Sequence, residues 1–131
     1  MRVFLVRHAE AAPGEPDELR PLTPDGRATA RTLGEQLATE HLDAVVSSPL
    51  LRARETAEPI AKAAQLVPET DPRLAPGADA QNLRDALTGR GATVVAVGHQ
   101  PDCAEIVLEL TGNRVRFAPG AVVEIEVEVE L

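Results

Sequence analysis

The run Thr93-Val94-Val95-Ala96-Val97-Gly98-His99-Gln100-Pro101 decides the fold. Its threonine and valines favour a buried strand, because β-branched side chains pack well on a pleated surface and no polar residue interrupts the run after Thr93. Gly98 and His99 end the strand. Pro101 stands where a helix can begin, and the following segment reads as a helix to Thr111 that stops at Gly112. A buried strand passing directly into a helix is half of a parallel strand–helix–strand unit.

The same grammar recurs on both sides. Residues 2–7 form a short apolar run that ends where polar residues begin, and it predicts a buried strand. From Glu10 to Pro21 prolines, glycine and acids predict a surface loop. Thr23-Pro24-Asp25 supplies a cap, a proline at the first helical position and an acid in the first turn. Ala30, Leu33 and Leu37 follow at helical spacing and place a helix at about 23–40. A second strand lies within Asp43–Ser47. Ser48-Pro49 opens a helix whose buried stripe is Ala53, Ala57, Ile60, Ala61 and Ala64, and Pro59 predicts a kink or an early end there. Residues 66–78 hold a short strand and a loop. Asp79 caps a helix containing Leu83, Ala86 and Leu87, closed by Gly89 or Gly91. Finally, Val123, Ile125, Val127, Val129 and Leu131 alternate with Glu124, Glu126, Glu128 and Glu130. That pattern predicts a strand with one wet face, its glutamates guarding against edge-to-edge pairing.

This alternation of strands and helices predicts a single α/β domain over 1–131, a sandwich with a largely parallel central sheet flanked by helices. Such sheets place ligand sites just beyond the carboxyl ends of their strands.

Composition narrows the function. A chain of 131 residues with 44% hydrophobic side chains and a net charge of −8 suits one globular core and disfavours nucleic-acid or anionic-membrane surfaces. With no Trp or Tyr and only two Phe, it lacks the aromatic platforms on which bases stack. Cys103 is the only cysteine, so an internal disulfide is excluded and a cysteine-based zinc site disfavoured. The short apolar run at residues 2–7 is not a secretory signal, and no stretch spans a bilayer. The expected location is cytoplasmic.

Three strand-to-helix junctions hold the informative residues: Arg7-His8, Ser47-Ser48-Pro49 with Arg52, and Gly98-His99. In a parallel sheet all three lie on one side, so Arg7, His8, Arg52 and His99 converge. Arginine offers a fixed fork of donors matched to phosphate oxygens. Neighbouring cations also lower an imidazole's pKa and keep a nitrogen lone pair free for attack. The set therefore suits a phosphoryl-accepting histidine, with one ring nitrogen held as donor by a backbone carbonyl and the other left to attack. His8-Ala9-Glu10 has the H-x-E form of zinc deaminases, but the paired cysteines they need are missing. No phosphate-binding P-loop is present.

Arg7-His8-Ala9-Glu10, Arg20-Pro21-Leu22-Thr23-Pro24-Asp25-Gly26, Ser47-Ser48-Pro49-Leu50-Leu51-Arg52-Ala53 with Thr56-Ala57, and Val97-Gly98-His99 resemble the histidine phosphatase superfamily, the phosphoglycerate-mutase-like group. Within it the chain resembles the small SixA-type phosphohistidine phosphatases, from residue 2 to about 111. The resemblance implies the three-layer phosphoglycerate-mutase-like fold. It also implies that His8 carries the phosphoryl group, that Arg7 and Arg52 hold its oxygens, and that His99 contacts it. Ala9 stands where most members have glycine, which matters only if that residue needs a positive φ. The family's acid falls in the region Leu74–Asp79, where Asp79 is the nearest carboxyl candidate, alternatively only a helix cap.

Other residues keep two readings. Arg20 reaches the pocket and binds substrate, or pairs with loop acids. Glu10 orients His8 or is solvated. Thr56 packs or bonds within its helix, His41 is a solvated histidine near a helix end, and Cys103 is a small buried hydrophobe. The expected activity is that of a metal-independent phosphatase without cofactor. Its expected substrate is phosphohistidine on a partner protein, or alternatively a small phosphate ester such as a sugar or nucleotide phosphate. A phosphate-binding module without turnover is the non-enzymatic alternative.

Overall fold

Each of these runs takes its place in the computed structural model, which describes residues 1–128; Val129, Glu130 and Leu131 lie outside the described residues. In chain order the elements are β1 (Arg2–Arg7), α1 (Pro24–Leu37), β2 (Ala44–Ser47), α2 (Leu51–Ala63) and β3 (Glu69–Thr70). They continue with α3 (Ala80–Leu87), β4 (Thr93–Gly98), α4 (Asp102–Thr111) and β5 (Val122–Glu126). A 3-10 turn, Asp17–Leu19, sits in the loop after β1.

The sheet order is β3-β2-β4-β1-β5. β1, β2, β3 and β4 run parallel, and β5 returns antiparallel beside β1. Strand alternation divides the core into two layers of side chains. Val3 and Leu5 of β1 pack with Leu83, Leu87 and Ile106, under α3 and α4. Phe4 and Val6 point to the other face, among Leu33, Leu37, Ala57 and Ile60 of α1 and α2. The result is a three-layer sandwich with aliphatic cores on both sides of the sheet.

Local chemistry explains the helix starts. Thr23 Oγ1 accepts the Gly26 N–H and Pro24 stands in the first turn of α1. Asp79 and Asn82 form a reciprocal capping box at α3. α2 begins at Leu51, two residues beyond Pro49, and has no side-chain cap at Leu50. α2 does not end early at Pro59 but runs on to Ala63. Ala57, Ile60 and Ala61 are fully buried around that proline, and their packing outweighs one missing backbone bond. A Cβ on Gly34 of α1 would lie 2.7 Å from the Pro59 carbonyl oxygen, so the absence of a side chain there permits this close helix contact.

In β5 and the two residues after it, Ile125 and Val127 are buried while Glu124, Glu126 and Glu128 are exposed, as the alternation requires. Among the described residues no helix is long and apolar enough to cross a membrane.

Candidate active site

Sheet register brings the three junctions together. Arg7 at the end of β1 pairs with Gly98 at the end of β4, and Ser47 at the end of β2 pairs with Val97. His8, Ser48 and His99 are therefore each the first residue past three adjacent parallel strands. The ladder continues one step further: His8 N–H donates to Gly98 O and Ser48 N–H to Val97 O, both at 3.0 Å. The rings of His8 and His99 lie 5.3 Å apart, centre to centre.

His8 Nδ1 lies 2.8 Å from the carbonyl oxygen of Ala9. A carbonyl only accepts, so Nδ1 carries the proton and Nε2 keeps the lone pair of the neutral ring. Burial lowers the His8 pKa below the ordinary value, and the cations Arg52, Arg7 and Arg20 add to that; the Ala9 carbonyl opposes it. The loop that carries this carbonyl is itself pinned. Ala9 N–H donates to Thr56 Oγ1 at 3.0 Å, and the Thr56 hydroxyl donates to Arg52 O at 2.8 Å. Ala9 is fully buried, and the described non-glycine residues with positive φ are His41 and Gln65, so alanine is accommodated at that position.

Around the histidines stand three guanidinium groups. Arg7 donates from Nη1 to Phe117 O at 2.8 Å, while its Nε is the one buried side-chain nitrogen or oxygen among the described residues without a partner. Arg52, 7% exposed, donates from Nη1 to Asp17 O and from Nη2 to Asp17 Oδ2, at 2.9 and 3.2 Å. Arg20 donates to Ala12 O and Asp17 Oδ1, at 2.9 and 3.1 Å. Arg20 pairs with the loop acid Asp17, and its charge is among those that lower the pKa of His8.

His99 is 4% exposed and its Nε2 lies 2.7 Å from Ser48 Oγ, which also accepts the Leu50 N–H. Burial first, then the neighbouring His8 and Arg52, lower its pKa to about 4. Asp79 is exposed and its carboxylate accepts the Asn82 N–H of its own helix; no hydrogen bond joins it to His8, Arg7, Arg52 or His99. Glu10 makes no hydrogen bond to His8; its carboxylate accepts the Thr23 hydroxyl at 2.8 Å. His41 is exposed at the end of the turn after α1. Cys103 is buried, and burial pushes its thiol up to about 12.

Sequence reasoning missed three contributors. Asp17 was one acid among several in its loop. Thr56 was read as packing or an internal helix bond, without its second bond to Ala9. The segment 117–120, which supplies Phe117 O to Arg7 and the Gly120 N–H to the Arg7 and His8 carbonyls, acts through backbone atoms that no side-chain pattern announces.

A family model for the histidine phosphatase superfamily (branch 1) matches residues 3–76. An uncharacterized protein of Picosynechococcus sp. is 33% identical over 138 aligned residues, covering 94% of this chain and 83% of that one. Among solved structures, the protein histidine phosphatase SixA complexed with tungstate superposes with a TM-score of 0.85 at 31% identity, over 98% of this chain and 89% of the other. A putative phosphohistidine phosphatase SixA from Agrobacterium tumefaciens gives a TM-score of 0.71 at 28% identity, over 85% and 77% of the two chains.

Proposed function

The chain belongs to the histidine phosphatase superfamily, branch 1, and on that premise we propose that it removes phosphate through a covalent intermediate on His8, favouring phosphohistidine of a partner protein. The observation that carries the mechanism is the His8 Nδ1–Ala9 carbonyl bond, which leaves Nε2 as the nucleophile. Nε2 attacks phosphorus, the bond from phosphorus to the leaving atom breaks, and the departing group keeps that electron pair and takes up a proton. Water then attacks the phosphohistidine, the P–Nε2 bond breaks, inorganic phosphate leaves, and His8 returns to its neutral form.

Arg7 and Arg52 hold the non-bridging oxygens and stabilise the charge that spreads over them in the transition state. In the tautomer in which the Ser48 hydroxyl donates to His99 Nε2, Nδ1–H of His99 is a further donor to the phosphoryl group. Positive charge from Arg7, Arg52 and Arg20 takes the place that a divalent ion fills in other phosphoryl-transfer sites. Turnover is expected to persist in excess chelator, and activity lost to chelator and restored by one divalent ion would overturn metal independence.

The substrate preference rests on the acid. An ester oxygen leaves slowly unless a general acid protonates it, a contribution of roughly 10²–10⁴-fold. Asp79 is committed to capping α3, and Asp17, bonded to Arg20 and Arg52, is held below the usual carboxylate range and stays ionised. The nitrogen of a phosphoramidate is more basic and needs less help, so an acid-poor site penalises esters most. Two measurements test the reading. Acid lability with base stability of the quenched phosphoenzyme identifies phosphohistidine, and His8→Ala is expected to abolish it with a loss on the order of 10³-fold or more in turnover. Comparison of kcat/KM for a phosphohistidine protein with a panel of monoesters tests the substrate. Esters turned over faster, with a selective loss in Asp79→Asn, would make Asp79 a working acid and reject the preference.

A further inference from the structure

We infer that Asp17 is a positioning residue of the phosphoryl pocket, bridging Arg52 and Arg20 so that both guanidinium groups are held at the nucleophile before substrate arrives. The inference rests on the phosphatase reading above. Asp17 lies in the 3-10 turn Asp17–Leu19, and its side chain is 58% exposed. Exposed acids usually form ion pairs of little consequence. Two features set this one apart. First, its partner Arg52 is buried and donates two bonds to this one residue, one to the main-chain oxygen and one to Oδ2. Two contacts on one residue fix the plane of the guanidinium as well as its position. Second, the other carboxylate oxygen takes Arg20, whose Nε is anchored in turn on Ala12 O.

The donor count shows what this leaves. A guanidinium carries five N–H donors, and Arg52 spends one on each of its two Asp17 contacts. Its remaining donors stay available for phosphoryl oxygens. Without the bridge, three like charges (Arg7, Arg20 and Arg52) would converge on one half-buried imidazole with no anion among them. Long, rotamer-rich arginine side chains would then spread toward solvent, and each would have to be reordered when phosphate binds. Asp17 is ionised because its hydrogen bond from Arg20, then that from Arg52, hold the carboxyl below its ordinary range. It therefore organises cations and does not donate a proton.

Tungstate, a phosphate-like oxyanion, is the probe, with calorimetric binding and steady-state kinetics as readouts. Asp17→Ala is expected to weaken tungstate binding roughly tenfold, the scale of a lost charge-assisted bond, and to raise KM more than it lowers kcat. Asp17→Asn, which keeps an acceptor oxygen, is expected to recover part of both losses. Tungstate binding in Asp17→Ala as tight as in the wild type overturns the role of Asp17, as does a loss confined to kcat. A wild-type chain that forms no phosphoenzyme sinks the reading beneath the inference instead, so the two failures are distinct.

Discussion

Thr56 makes two bonds with one hydroxyl, donating to Arg52 O in its own helix and accepting the N–H of Ala9 beside His8. Thr56→Val keeps the volume but leaves a buried N–H without a partner, at a cost of about 1–3 kcal/mol. The Ala9 carbonyl that orients His8 belongs to the same residue, so the valine variant is expected to lose kcat as well as stability. Thr56→Ser keeps the hydroxyl and is expected to retain kcat; equal rates in the serine and valine variants would remove Thr56 from the site. The ring it helps to orient also sets the pH response. Because burial and the arginines lower the His8 pKa, its neutral imidazole persists below the ordinary histidine range of about 6.5. The acid limb of kcat/KM is expected to fall below that value, and a limb at or above it would contradict the electrostatic picture. Arg7, His8, Arg52 and His99 were legible in the sequence because Arg7 ends a recognisable strand, His8 and His99 each follow one, and Arg52 lies in the first turn of the helix after another. Asp17, Ser48 and Thr56 were legible only as residue types, since their roles depend on approach across the fold.

Elements meet at two glycines whose missing side chains are structural. A Cβ on Gly26 would stand 2.2 Å from the Glu10 carbonyl oxygen, and one on Gly34 would stand 2.7 Å from that of Pro59. The first contact lies between α1 and the loop that follows His8; the second lies between α1 and α2, away from the histidines. Overpacking of this kind costs typically 1–3 kcal/mol in either place. Gly34→Ala is expected to lower Tm with kcat preserved, whereas Gly26→Ala is expected to lower both. Thermal melts beside rate measurements on the two variants check the distinction. The helix and strand order was readable in full from caps and apolar spacing. Pro59 misled because a local rule about backbone bonds cannot report the tertiary packing of Ala57, Ile60 and Ala61 that overrides it. At the far edge, Asp71 joins β3 to the helical layer: 4% exposed, it pairs with Arg73 and Arg90, and Arg90 also pairs with Glu69. Hydrogen bonding from Arg73 lowers its carboxyl to about 2.

At the scale of the molecule, two buried groups make stability depend on acidity in the same direction. His99 folds with a pKa near 4 against an ordinary 6.5, so the unfolded chain binds more protons between those values. Stability therefore falls as pH drops from 6.5 toward 4, by roughly 3 kcal/mol if the full shift is realised. Asp71, depressed from 3.8 to about 2, adds a second loss below that window, as protonation removes its ion pairs. Denaturant midpoints followed from pH 8 to 4 are expected to be flat above 7 and to decline below 6.5, with the slope flattened in His99→Gln. An unchanged slope in that variant would assign the decline elsewhere. The order in which the chain is made gives the segment 117–120 a further meaning. The strand end before His8 is tied by the Gly120 N–H and its arginine by the Phe117 carbonyl, 110 positions after Arg7 and so synthesised later. A nascent chain that stops short of these residues has Arg7 and His8 but lacks the ties that hold them. On the proposed mechanism, a chain truncated before Phe117 is expected to be inactive although it keeps Arg7, His8, Arg52 and His99.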